Sequence, residues 1–176
     1  MRWRILTYRL SGDGGSNPRV SVWRELRRVG AVALQSATWA VPAGDRFDDG
    51  LAKAVRLVDR AGGQALVLDV DPGSDALGEL EALYVSDRDE EWAEFTAECD
   101  KAIAELAGEV AKEKFTLAEL EEEEHSVDRL RRWYRELRSK DLFGAPMAPV
   151  GEARLKEAVA ALDDFAERVY RARQRS

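Results

Sequence analysis

Three kinds of side chain in this sequence are able to do chemistry: one cysteine, one histidine and several clusters of charge. Cys99 and His125 are the only thiol and the only imidazole, so neither an intrachain disulfide nor a clustered Cys/His metal site can form within one chain. Cys99 falls on an apolar helical stripe with Trp92, Phe95, Ile103 and Leu106 and reads as a core thiol, because a reactive cysteine needs exposure and a positive neighbourhood. His125 lies off its helix's stripe, behind Glu121 to Glu124. Four consecutive glutamates wrap round a helix and cannot converge on one site, so the run reads as a solvated face. The Gly-rich stretch SGDGGSNP lacks the lysine of a P-loop and the spacing of a dinucleotide fingerprint, and it reads as a connection. No catalytic residue, cofactor or metal is expected. The arginines remain. Arg19, Arg24, Arg27 and Arg28 sit together in one helix, and Arg131, Arg132 and Arg135 directly follow the acidic run in another, where i to i+4 pairing such as Asp128 with Arg132 would hold them in solvent.

The elements that must position these side chains are legible from their periods. Trp3 to Leu10 alternates, with Trp3, Ile5 and Thr7 on one face and Leu6, Tyr8 and Leu10 on the other, which suits an inner strand. Asn17 as N-cap, Pro18 at the first helical position and Gly30 as the stop delimit a helix whose apolar stripe is Val22, Trp23, Leu26 and Val29. Ala31 to Gln35 and Thr38 to Val41 form a tight hairpin across Ser36 and Ala37, which Pro42 ends. Phe47, Leu51, Ala54, Val55 and Val58 predict a second helix closed by Gly62 and Gly63, and Gln64 to Val70 reads as a buried fourth strand. This is a βαββαβ order, the pattern of ferredoxin-like units, over residues 1–73. Residues 74–176 predict three helices: one starting at Ser86 and Asp89, one opened by a Thr116/Glu119 capping box and ending near Lys140, and one from Glu152 onward. The fold class is therefore α+β, with a helical hairpin or bundle packed on a ferredoxin-like unit.

Charge divides the chain in the same place. Residues 1–72 carry 11 basic and 8 acidic side chains, net +3, and residues 73–176 carry 16 and 26, net −10, out of a whole-chain formal charge of −7. An acidic chain is a poor nucleic-acid binder taken whole, but residues 1–46 hold eight arginines against Asp13, Glu25 and Asp45. That face is either a phosphate-contacting surface or ordinary solvated surface. No apolar run is long enough to span a bilayer and the N-terminus has arginines inside its apolar stretch, so a cytoplasmic protein without membrane contact is expected.

The blocks WRILTYRL, VSVWRELRRVGAVALQSATWAVP, EKFTLAELEEEE, LRRWYRELRSKDLFGAP and FAERVY together resemble the N-terminal domain of the chromate-resistance protein ChrB over nearly the whole chain. The most specific parts are Trp3 to Leu10, Val22 to Pro42 and the step from Lys140 to Pro146. More distantly, the βαββαβ unit is similar to the ferredoxin-like domains of PaaX-type repressors and of small CRISPR adaptation proteins. In the latter an Asp ends the first strand; here that place reads Tyr8-Arg9-Leu10, against a nuclease. The ChrB resemblance implies a chromate-resistance protein, a DNA-binding regulator or accessory sensor of the chromate oxyanion. Arg19, Arg24, Arg27 and Arg28, with Arg131, Arg132 and Arg135, would contact phosphates or hold the oxyanion through charge-assisted hydrogen bonds. The alternatives are a homodimeric interaction module without a ligand of its own and, least favoured, a metal-independent reductase.

Overall fold

A computed structural model describes residues 1–11 and 17–175 of the chain. Most of the glycine-rich loop, with Asp13, falls outside the described residues. The protein is α+β, with a four-stranded antiparallel sheet and five helices among the described residues: β1 (Trp3–Arg9), α1 (Asn17–Val29), β2 (Val32–Gln35), β3 (Thr38–Pro42), α2 (Asp45–Arg60), β4 (Gln64–Val70), α3 (Ser74–Ala111), α4 (Leu117–Lys140) and α5 (Ala148–Arg175). Two compact units divide it, Met1–Tyr84 and Val85–Ser176, with the division inside α3.

In the first unit the strands lie in the order β2-β3-β1-β4. β1 is an inner strand: Leu6 is paired with Trp39 on one side and Val67 on the other. Both of its faces are used. Trp3 is fully buried, edge-on to Tyr84 with ring centroids 5.9 Å apart, and Leu6 is buried on the opposite face. On the Leu6 face Arg4 bonds Asp69 of β4 at 3.0 Å and also pairs with Asp48 of α2, so one guanidinium ties a helix to the sheet. α1 ends because Gly30 adopts φ 89°, a left-handed conformation that lets Gly30 and Ala31 donate back to the Arg27 and Leu26 carbonyls. α1 then packs on α2 at Gly50, where any Cβ would overlap Val29 Cγ2. Glycine is required there by close approach.

β4 departs from expectation. The run QALVLDV predicts a buried strand, but β4 is the sheet edge, and Leu66, Val67 and Leu68 are exposed, Leu66 by 54%. Apolar composition alone cannot tell an inner strand from an edge, because that depends on strand order.

In the second unit Trp92, Phe95, Cys99 and Ala102 of α3 meet Leu130 and Leu137 of α4 and Ala148 and Leu155 of α5. A second cluster stacks Leu106, Leu120, Val127, Leu162, Phe165 and Val169. Trp92 and Phe95 pack edge-on at 5.6 Å, and Tyr134 lies 5.7 Å from Trp92. α4 opens as its capping box predicts, with Thr116 Oγ1 accepting from Glu119 N–H at 3.2 Å. The start of α3 does not follow the expectation. The helix begins at Ser74, not at Ser86, and Asp89 lies inside it, its carboxylate accepting from the Met147 N–H at 2.6 Å. A Ser-x-x-Asp spacing resembles a cap, yet here the acid serves a tertiary contact. Among the described residues no helix is long and apolar enough to cross a membrane.

Candidate functional site

α1 has two unlike faces. Val22, Leu26 and Val29 are buried as their spacing predicts, together with Glu25. Burial alone would raise the Glu25 pKa, but Arg28 and Lys53 hold it below the usual carboxylate value: Arg28 Nε donates at 3.2 Å and Lys53 Nζ lies 2.8 Å away. Arg28 is therefore engaged in an ion pair with the helix's one acid. The other face carries Arg19, Val20, Trp23 and Arg24, all exposed. Trp23, expected on the buried stripe, is 50% exposed; Arg27, one turn on, brings its guanidinium to 5.9 Å from the indole ring centroid, within cation–π range. The buried stripe is narrower than the sequence suggests, and α2 approaches α1 at Val29 and Glu25 instead of Trp23.

Beside this face opens a cleft of about 710 Å³, between the first turns of α1, the end of β1 and the β2–β3 turn. Tyr8, Arg9, Arg19, Trp23 and Trp39 contribute to its wall. The local chain builds it in two steps. The two-residue turn places Ala37 at φ 61°, and the Tyr8 N–H donates to the Ala37 carbonyl at 3.0 Å, clamping the turn to the end of β1. Thr7 and Thr38 hydroxyls meet at 3.3 Å on the same rung. Burial raises the Tyr8 pKa, partly offset by the facing Trp39 side chain and the Arg19 charge. Trp39 is buried, and its indole N–H, although turned toward the Tyr8 side chain, makes no hydrogen bond of acceptable geometry. Arg9 is held by a neutral partner, donating to Gln64 Oε1 at 2.8 Å. Among the described residues no carboxylate lines the cleft.

The second set of arginines belongs to the other unit. Arg131 bonds Asp128 at 2.9 Å, so the acid takes the residue three positions on rather than Arg132, and Arg132 and Arg135 are exposed on α4. Cys99 is wholly buried, and burial, with the charges of Asp100 and Glu98, pushes its thiol up to about 11. Burial and a raised pKa both disfavour the thiolate, the reactive form, at neutral pH. His125 is exposed. The glutamate run is not uniformly solvated: Glu123 is buried, and burial, aided by Glu105, Glu122, Glu109 and Glu119, raises its pKa. No group of His, Cys, Asp and Glu that would hold a metal ion occurs among the described residues.

The Lys140 to Pro146 step has a structural duty. Asp141 accepts from the Trp92 indole N–H at 3.0 Å and from the Gly144 and Ala145 backbone N–H groups at 3.0 and 3.1 Å, closing the α4–α5 loop over the aromatic core. Lys140 Nζ lies 2.8 Å from Glu91, which also pairs with the fully buried Arg88 at 3.1 Å. Sequence reasoning marked Trp92 as core and the Lys140 to Pro146 step as specific but missed the contacts of Asp141, Glu91 and Arg88, and also the joining of Tyr8, Arg9 and Trp39 with α1. Strand alternation put Tyr8 on the Leu6 face, but no spacing signal brings the turn at 36–37 to that strand end.

Comparison with protein families places the chain. The family described as Protein ChrB, N-terminal, matches residues 19–176, nearly the whole length. The chain belongs to that family. Membership in the ChrB family associates it with chromate resistance. The matched segment begins at Arg19 and takes in α1, the hairpin and both units' helices, whereas β1, with Tyr8 and Arg9, precedes it. A comparison with curated proteins finds no match.

Proposed function

We propose that this ChrB-family chain acts in the regulation of chromate resistance by contacting nucleic-acid phosphates through the exposed face of α1. The observation that carries the reading is that Arg19 and Arg24 are exposed on the side of a helix whose single acid, Glu25, is turned inward and engaged by Arg28 and Lys53. Positive charge on that face is thus not cancelled within the helix. Phosphate binding needs this and little else. The strand order and the two crossing helices of the first unit support reading it as a ferredoxin-like scaffold that presents α1. Arg132 and Arg135 on α4 are a second, separate basic patch for the same chemistry. Chromate, a divalent oxyanion, would compete for the same guanidinium groups.

Fluorescence anisotropy with the DNA upstream of the chain's own gene tests this, at two salt concentrations and with and without chromate. Specific binding that falls steeply with salt, and whose salt slope drops by roughly one for each phosphate contact removed in Arg24→Ala and Arg27→Ala, is the expected result. Equal binding by the double variant, or none at low salt, overturns it.

A second reading rests on β4. An edge strand exposing Leu66, Val67 and Leu68 offers an unpaired backbone row on which a second copy could pair its own β4 antiparallel, making a homodimer. Light scattering on the purified chain would show a dimer that Val67→Lys converts to monomer; a monomer at the outset removes this reading.

A further inference from the structure

We infer that the cleft between β1, the β2–β3 turn and α1 is a binding site for a small organic anion bearing a planar aromatic ring. Its volume, about 710 Å³, falls in the range of roughly 300–1,000 Å³ typical of small-molecule sites and is far larger than a tetrahedral inorganic oxyanion fills. Its chemistry is of two kinds. Three aromatic side chains, Tyr8, Trp23 and Trp39, supply faces and edges against which a flat ring stacks. Two guanidiniums, Arg9 and Arg19, supply positive charge; Arg9 is oriented by a neutral amide oxygen, which fixes its position and, among the described residues, leaves its charge without a carboxylate. An anion takes up that charge, and without a lining carboxylate nothing among the described residues competes for it.

Trp39 supplies an independent indication. It is 6% exposed, and its indole N–H, turned toward the Tyr8 side chain, makes no hydrogen bond of acceptable geometry. A buried donor without a good hydrogen bond is costly in a native protein. A small movement of the Trp39 or Tyr8 ring on ligand binding would let that donor complete a bond. Trp23 points the same way from the other side: half exposed on α1, it offers its ring to a ligand in the cleft.

The inference does not depend on α1 touching DNA, since Arg24 and Arg27, the residues removed in the DNA test, are not part of the wall. Titration calorimetry of the full chain with naphthalene-2-carboxylate tests it, alongside cyclohexanecarboxylate (the charge without the ring), naphthalene-2-methanol (the ring without the charge) and chromate. Naphthalene-2-carboxylate is expected to bind, to shift the Trp39 indole N–H resonance, and to lose roughly tenfold in affinity in Arg19→Gln, an exposed change that circular dichroism will show to be folded. Trp23→Ala should weaken it as well. Absence of binding, equal binding of either control, chromate binding at least as tightly through Arg19, or unchanged affinity in Arg19→Gln would each overturn the assignment.

Discussion

Arginine does different work in the two units of this chain. In the second unit several arginines are matched within their own helix: Arg131 with Asp128, Arg168 with Asp164 at 2.7 Å and Arg171 with Glu167 at 2.8 Å, all one turn apart. Arg154 bridges further, to Asp100 of α3 at 3.1 Å. In α1 of the first unit one acid serves four arginines, and it is turned inward to Arg28 and Lys53. Exposed pairs of the first kind contribute little to stability, typically under about 1 kcal/mol each, but they cancel field. The difference teaches that the number of arginines on a helix says less about its partners than the placement of acids one turn away.

The cores differ as well, and that contrast can be broken by mutation. The largest effect should come from the second unit's polar clasp: Asp141→Ala removes the acceptor of a buried indole and of two backbone N–H groups, and urea unfolding should show a loss of about 3 kcal/mol. A loss under about 1 kcal/mol would mean that the aromatic cluster holds the α4–α5 loop unaided. In the first unit the corresponding weak point is steric. Gly50→Ala forces a methyl into Val29 and should cost about 2 kcal/mol, read from the thermal midpoint. If it is tolerated, α1 and α2 slide more freely than the α3–α5 packing would allow.

Two smaller effects compare a matched buried acid with an unmatched one. Glu25 has its pKa lowered below 4.5, so its stabilisation is present above that value and disappears as pH falls through the lower folded pKa. Glu25→Gln should cost about 1 kcal/mol at pH 7, with mutant and parent converging in acid. Glu123 is the opposite case. Its folded pKa is raised above 4.5, so ionisation opposes folding once the pH exceeds the unfolded value, and the penalty is absent below it. Glu123→Gln should raise the melting temperature slightly at pH 7 and leave it unchanged near pH 3. Identical pH profiles for the two variants would erase the distinction between the two buried carboxylates.

Much of the fold is legible in local pattern. The two-residue hairpin turn, the Gly30 stop, the Thr116 cap and the stripes of α2, α4 and α5 each follow from short-range sterics or 3.6-residue spacing, and all appear where the sequence puts them. The start of α3 was obscured by Ser86 and Asp89, whose cap-like spacing answers to a contact 58 residues away. The candidate site was half legible. Arg19, Arg24 and Arg27 announce a basic face, but Tyr8 and Trp39 carry no signal of their own, since an aromatic residue in a strand is as often core as wall.

By itself the sequence determined the element order, the interior position of Cys99 and the family, because these depend on residue types and on neighbours a few positions apart. Tertiary structure alone decided that β4 is an edge, that Trp23 faces solvent, that Glu123 is buried, and that β1 and the hairpin turn meet α1 in a cleft. Strand order and helix docking bring together residues far apart in the chain. Burial is a property of what a face meets, and a periodic pattern records only that a face exists.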